Sequence, residues 1–179
     1  IGTARAALLD GTDTPDAEAA KALARTYLHF GFGAEAAQVL DAFAISPQEA
    51  PGLHDLALMV DGLLPEEPAR YVDQMSCDSN IALWAVLAQP EPGPPAGAPI
   101  ETGAVRRAFS LLPLHLRRHL GPILVQRFVQ RGDLETARAL SAAIGRAVGG
   151  HGNAVAVMEA RLTLAEDAAA GATDGAAPA

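Results

Sequence analysis

The stretch Gly121–Val148, GPILVQRFVQRGDLETARALSAAIGRAV, decides the fold. It reads as two short helices joined by a tight turn. Gly121 ends the element before it, and Pro122 takes a first helical position, where a missing N–H costs nothing. Leu124, Val125, Phe128 and Val129 then recur at helical spacing, and Ala137, Leu140, Ile144 and Val148 form a second stripe. Between the stripes stand Gly132, of the type that ends helices, and Asp133, of the type that starts them. Each helix has one apolar face and is too short to be stable alone, so the two must pack together.

Working outward, the same pattern occurs once more. Asp16 is placed to cap a helix striped by Ala20, Leu23, Ala24, Tyr27 and Leu28. Gly31 turns the chain, and Ala36, Ala37, Leu40 and Phe43 stripe the next helix up to Ser46-Pro47. With Gly31 laid on Gly132, Leu23 falls on Leu124, Ala24 on Val125, Tyr27 on Phe128 and Ala36 on Ala137. A helix–turn–helix unit repeated in this way is the signature of a solenoid.

Both units resemble tetratricopeptide repeats. Leu23, Ala24, Tyr27, Gly31, Ala36 and Pro47 match that family's pattern in the first unit, and Leu124, Phe128, Gly132 and Ala137 match it in the second. Ala20 and Gly121 stand where the family has its early Trp, Val125 replaces a small residue, and no Pro closes the second unit. The resemblance implies a right-handed solenoid of antiparallel helix pairs. It also implies a protein- or peptide-binding scaffold whose groove is lined by first helices, where some members hold an anionic peptide end. Arg127 falls on a first helix.

Composition agrees with packed helices. Of 179 residues half are apolar but only 4% aromatic, so the core is built from Ala and Leu, which favour helix. The net charge of −8 argues against a nucleic-acid binder, which needs a basic footprint. No apolar run reaches the ~18 residues of a membrane span. Cys77 is the single cysteine, so the chain holds no internal disulfide and no Cys-based zinc site. One lysine against twelve arginines, with much Ala, Gly and Pro, matches a GC-rich bacterial genome. The compartment, periplasm or cytoplasm, stays open. The start at Ile1 and the Ala/Gly-rich end read as a piece of a longer protein.

The remaining segments read as helices with proline stops. Thr3–Leu9 is one, Pro51 opens another striped by Leu53, Leu56, Val60, Leu63 and Leu64, and Pro68 opens a short one. Asp78 or Ser79 caps a helix with Ile81, Trp84 and Leu87. Thr102 caps the next, Pro113 opens one through Leu120, and Asn153 caps one striped by Val155, Met158, Leu162 and Ala165. The expectation is therefore an all-α superhelix. It has a half at 1–89 with a unit at 16–47, a Pro/Gly-rich loop or linker at 90–100, and a half at 101–169 with a unit at 121–148. Residues 170–179 are expected to be a disordered tail, and 48–88 a degenerate repeat or an insertion.

Charge singles out one candidate site. Residues 101–131 hold six arginines and one acid, a balance of +5 within the acidic chain. Arg106, Arg107, Arg117, Arg118, Arg127 and Arg131 are the binding candidates, since guanidinium forks match carboxylates. Self-pairing with the chain's own acids is the competing reading. His115 and His119 lie four apart on one helix, a spacing that can share a metal. Leu116 stands where a metalloprotease Glu would, and no third ligand is near in sequence. Cys77 beside Asp78, with His54 upstream, lacks any oxyanion-hole motif. The expectation is a non-enzymatic interaction scaffold with no cofactor and no metal, whose partner is a protein or peptide that is acidic or offers a free carboxylate. A structural spacer between other domains is the alternative, and a helical enzyme or metal protein using His115/His119 comes third.

Overall fold

The computed structural model describes residues 1–3, 8, 16–95, 97–145 and 152–174. The helix expected over Thr3–Leu9 lies largely outside them. Among the described residues every regular element is helical. The chain divides into two compact units, Ile1–Pro68 and Ala69–Ala179.

The first unit holds α1 (Ala17–Phe30), α2 (Gly33–Ala42) and α3 (Leu53–Val60). Asp16 caps α1 as its sequence position demands: its Oδ1 accepts the Glu18 and Ala19 N–H groups at 2.9 and 3.1 Å. The face carrying Ala20, Leu23, Ala24, Tyr27 and Leu28 is buried. Gly31 ends the helix in the left-handed region at φ 84°. Its N–H donates to the Leu28 carbonyl at 3.1 Å and that of Phe32 to the Tyr27 carbonyl at 3.0 Å, the paired closure that uses up orphan carbonyls. α2 packs on α1 and α3, and α1 also touches α3. Its end repeats this closure around Ala44, whose φ of 52° is unfavourable for a residue with a Cβ. Gly62 closes α3 in the same way, through Met59 and Leu58, so the helix stops at Val60 and leaves Leu63 and Leu64 exposed. The stripe expected to run through Leu64 is shorter for that reason.

The second unit starts with two 3-10 turns, Pro68–Tyr71 (its first residue at the boundary) and Asp73–Ser76, followed by α4 (Ile81–Leu87), α5 (Thr102–Leu111), α6 (Leu114–Arg131), α7 (Leu134–Gly145) and α8 (Asn153–Asp174). Here too alternate helices touch: α4 meets α6, α5 meets α7, and α6 meets α8, besides the pairs α4–α5, α6–α7 and α7–α8. The turn at Gly132 repeats the turn at Gly31. Gly132 has φ 80°, its N–H donates to the Val129 carbonyl and that of Asp133 to the Phe128 carbonyl, both at 2.9 Å. Phe128 thus plays the part of Tyr27, and both rings are buried, as are Ala36 and Ala137.

Several sequence boundaries shift. Gly121 and Pro122 do not open a helix; α6 runs through them for 18 residues. Leu116, Leu120, Leu124 and Phe128, four apart, make one buried stripe across the proline. Pro122 lacks the N–H that would reach the Arg118 carbonyl, an interior cost of ~3 kcal/mol that the packing of both halves of α6 offsets. Gly121 serves contact instead of termination: a Cβ there would stand 2.4 Å from Ile144 Cδ1. Asn80 and Glu101, not Ser79 and Thr102, precede α4 and α5, and neither side chain caps its helix. Contacts divide the chain at Pro68/Ala69, and the described residues of the Pro/Gly-rich stretch fall in the second unit. α8 continues to Asp174, past the expected start of the tail; 175–179 lie outside the described residues.

Candidate binding groove

The six arginines do not converge. Arg127 is buried, with 7% of its surface exposed, and its Nη2 donates to the Leu87 carbonyl at 3.4 Å. That carbonyl is at the C-terminus of α4, where a positive charge meets the negative end of the helix. Gln89 Nε2 takes the neighbouring Ala85 carbonyl at 3.0 Å. Burial lowers the Arg127 pKa, and the Glu91 charge opposes that shift. Its Nε and Nη1 have no hydrogen-bond partner. Arg131, one turn on, forks onto the 88–101 loop: Nη1 donates to Pro95 O at 3.1 Å and Nη2 to Ala98 O at 2.5 Å. Arg117 Nη1 donates to Ala143 O at 3.2 Å, in the last turn of α7. Arg118 is half-buried on α6. Arg117, Arg127 and Arg131 thus bond to this unit's own backbone.

Arg106 and Arg107 are different. Both are exposed on α5 and flank an open groove of about 700 Å³ between α5 and α7. Its floor is apolar: Phe109 and Leu140 are fully buried beneath it, and Ala139, Ala142 and Ala143 of α7 line it. Leu111 stands at the rim with 75% of its surface exposed. Arg107 pairs with Asp78. Arg106 Nη1 lies 3.9 Å from Glu135 Oε1, side chains 48% and 90% exposed. Exposed pairs of this kind contribute roughly 0–1 kcal/mol. The groove floor escaped the sequence reading because its residues belong to two helices that are not consecutive. Leu111 is the last residue of α5 and lies off its buried face of Ala104, Val105, Ala108 and Phe109.

A smaller groove of about 320 Å³ lies between α6 and α8, where Arg161 Nη1 donates to Gln126 Oε1 at 3.3 Å beside exposed Val157. None of the six candidate arginines lines it.

His115 and His119 are both exposed on α6, and among the described residues no three His, Cys, Asp or Glu side chains gather as a metal site would require. Cys77 is exposed, contrary to the buried setting usual for a free cysteine. No helix among the described residues is long and apolar enough to cross a membrane. Compared with protein-family models, curated proteins and solved structures, the chain matches none.

Proposed function

We propose that this chain is a non-enzymatic interaction module, a tetratricopeptide-like helical-repeat solenoid that binds a protein or peptide segment in the α5–α7 groove. The observation that carries the reading is the groove itself: an apolar floor left open to solvent, an exposed Leu111 at its edge, and two exposed arginines beside it. An apolar concavity with a few convergent polar groups is the usual form of a binding site. The solenoid part of the reading draws support from the recurring closure at Gly31 and Gly132 and from the contacts between alternate helices within each unit. The candidate residues divide accordingly. Arg106 and Arg107 act in binding, whereas Arg117, Arg127 and Arg131 act in structure.

The spacer reading has one observation in its favour, the consumption of those three arginines by backbone carbonyls. It leaves the open floor between α5 and α7 without a role.

Filling the groove tests the proposal. Ala142 is exposed and lines it, so Ala142→Trp occupies the space at little risk to the core. Peptides selected from a displayed library on the unaltered chain are expected to lose binding to Ala142→Trp at an unchanged melting temperature. Binders indifferent to both Ala142→Trp and Ala139→Trp would place the site elsewhere.

A further inference from the structure

The groove favours one backbone geometry in its occupant. Its lining side chains offer donors from Arg106 and Arg107, and the Ser110 hydroxyl is already engaged with the Arg106 carbonyl at 2.9 Å. The rest of the lining is largely alanine, leucine and phenylalanine. An extended peptide would press its own N–H groups against methyl groups, with few acceptors to receive them. A helix satisfies its backbone internally and needs only an apolar face. The walls suit one: α5 and α7 run roughly 15 and 18 Å at 1.5 Å per residue, and Ala139, Ala142 and Ala143 sit at i, i+3 and i+4 on α7. Short side chains in that arrangement let another helix approach closely, ridge into groove.

The rim fixes the charge. Carboxylates of this chain already stand where a ligand's would: Asp78 on Arg107 and Glu135 near Arg106. Asp78 and Glu135 are 78% and 90% exposed and belong to segments outside α5, so either can swing away without disturbing the arginine-bearing helix. The segment 101–131 carries a balance of +5 in a chain of charge −8, so an acidic ligand is drawn here more than to the rest of the chain. Resting on the groove reading above, we infer that the occupant is an amphipathic helix with an acidic flank, and that Asp78 and Glu135 are place-holders that yield Arg107 and Arg106 to it. The site lies between second helices, not in the first-helix groove that the family resemblance implies.

The test uses the intact chain and a displayed library of 14-residue helix-favouring peptides with Leu/Ala faces and Glu, Lys or Gln flanks. The best clone is synthesised with a fluorophore and its Kd measured by anisotropy. Selected clones should carry Glu on the flank. Asp78→Asn combined with Glu135→Gln should tighten binding roughly three- to tenfold, because competition for the arginines is removed. Arg106→Ala combined with Arg107→Ala should weaken it by about tenfold and flatten its dependence on salt. Selection of no binders, or of binders without flanking acids, overturns the inference. So does a place-holder variant that binds no tighter while Ala142→Trp still abolishes binding; the groove reading then stands and the exchange falls. Clones that bind Ala142→Trp and Ala139→Trp undiminished overturn both.

Discussion

The Gly33 N–H donates to Asp61 Oδ1 at 3.0 Å, across 28 residues of sequence. It marks where the two repeated turns part. In the second unit Asp133 caps α7 locally, accepting the Thr136 N–H at 3.0 Å. The equivalent position in the first unit is Phe32, which has no oxygen to offer, so α2 borrows a carboxylate from the end of α3. Asp61→Ala should therefore cost about 1 kcal/mol, the usual loss of an N-cap, despite lying outside any helix N-terminus in sequence. The closeness of this joint also requires Gly33: an added Cβ would stand 2.2 Å from the Ala57 carbonyl oxygen. Gly33→Ala should cost more than Asp61→Ala, since backbone cannot step aside. Thermal melts that rank the two the other way would show that the joint is loose.

A second carboxylate gives a pH-dependent feature. Glu49 accepts from the Ser46 backbone N–H at 2.9 Å and from its hydroxyl at 2.8 Å, while the Glu49 N–H returns to Ser46 Oγ. This reciprocal box lowers the Glu49 pKa, the backbone donor first and the hydroxyl second. With the folded pKa depressed, the contribution to stability is complete above the ordinary glutamate pKa and is lost as pH falls through the depressed value. Ser46→Ala removes one donor and should return the Glu49 titration part of the way towards its ordinary range. An NMR titration of the Glu49 carboxyl that is identical in both proteins would sink this assignment.

The helix pairs on either side of Gly31 and Gly132 were legible in the sequence because their signals are local. Gly31 and Gly132 each sit at the end of a 3.6-residue pattern, and Asp16 precedes one, so cap, stripe and turn lie within a few residues of each other. The course of α6 was also written there, in Leu116, Leu120, Leu124 and Phe128, but Gly121-Pro122 is the commoner sign of a boundary. What overrode it is packing against Ile144 and Phe109, which no local pattern contains. The arginine site was legible only in part. Charge balance found the segment; it could not separate Arg106 and Arg107, with solvent-exposed acids, from Arg127 and Arg131. The latter pair's partners are carbonyls, and carbonyls carry no sequence signature.

Arg131 tests that separation. Its two hydrogen bonds reach a loop whose prolines supply few N–H groups of their own. A charged donor to a carbonyl is worth about 1.5–3 kcal/mol when buried, and less here because the side chain is half-exposed. Arg131→Ala should cost about 1–2 kcal/mol. It should also speed hydrogen exchange at Ala98, whose N–H is bonded to the Pro95 carbonyl at 3.0 Å. Peptide binding in the α5–α7 groove should be unchanged. Weakened binding with full protection at Ala98 would return Arg131 to the site.

Gly121 offers the sharpest check on the continuous α6. In an ordinary helix interior, Gly→Ala stabilises by about 1 kcal/mol. Here the new methyl would meet Ile144 at 2.4 Å from Cδ1 and 3.1 Å from Cγ1, and Phe109 Cζ at 3.2 Å. Both partners, Ile144 and Phe109, are fully buried in the core. Overpacking of that kind costs roughly 1–3 kcal/mol, so Gly121→Ala should lower stability, against the helix-propensity trend. Ile144→Val removes the Cδ1 that stands nearest and alone should cost about 0.5–1.5 kcal/mol. Combined, the two changes put a methyl where one was taken away. The double variant should be more stable than the sum of the single effects by about 1–2 kcal/mol, because the residues share one contact. Denaturant melts of the four proteins of this cycle give the coupling directly. Strict additivity, with Gly121→Ala stabilising on its own, would mean that α6 and α7 do not meet at this point.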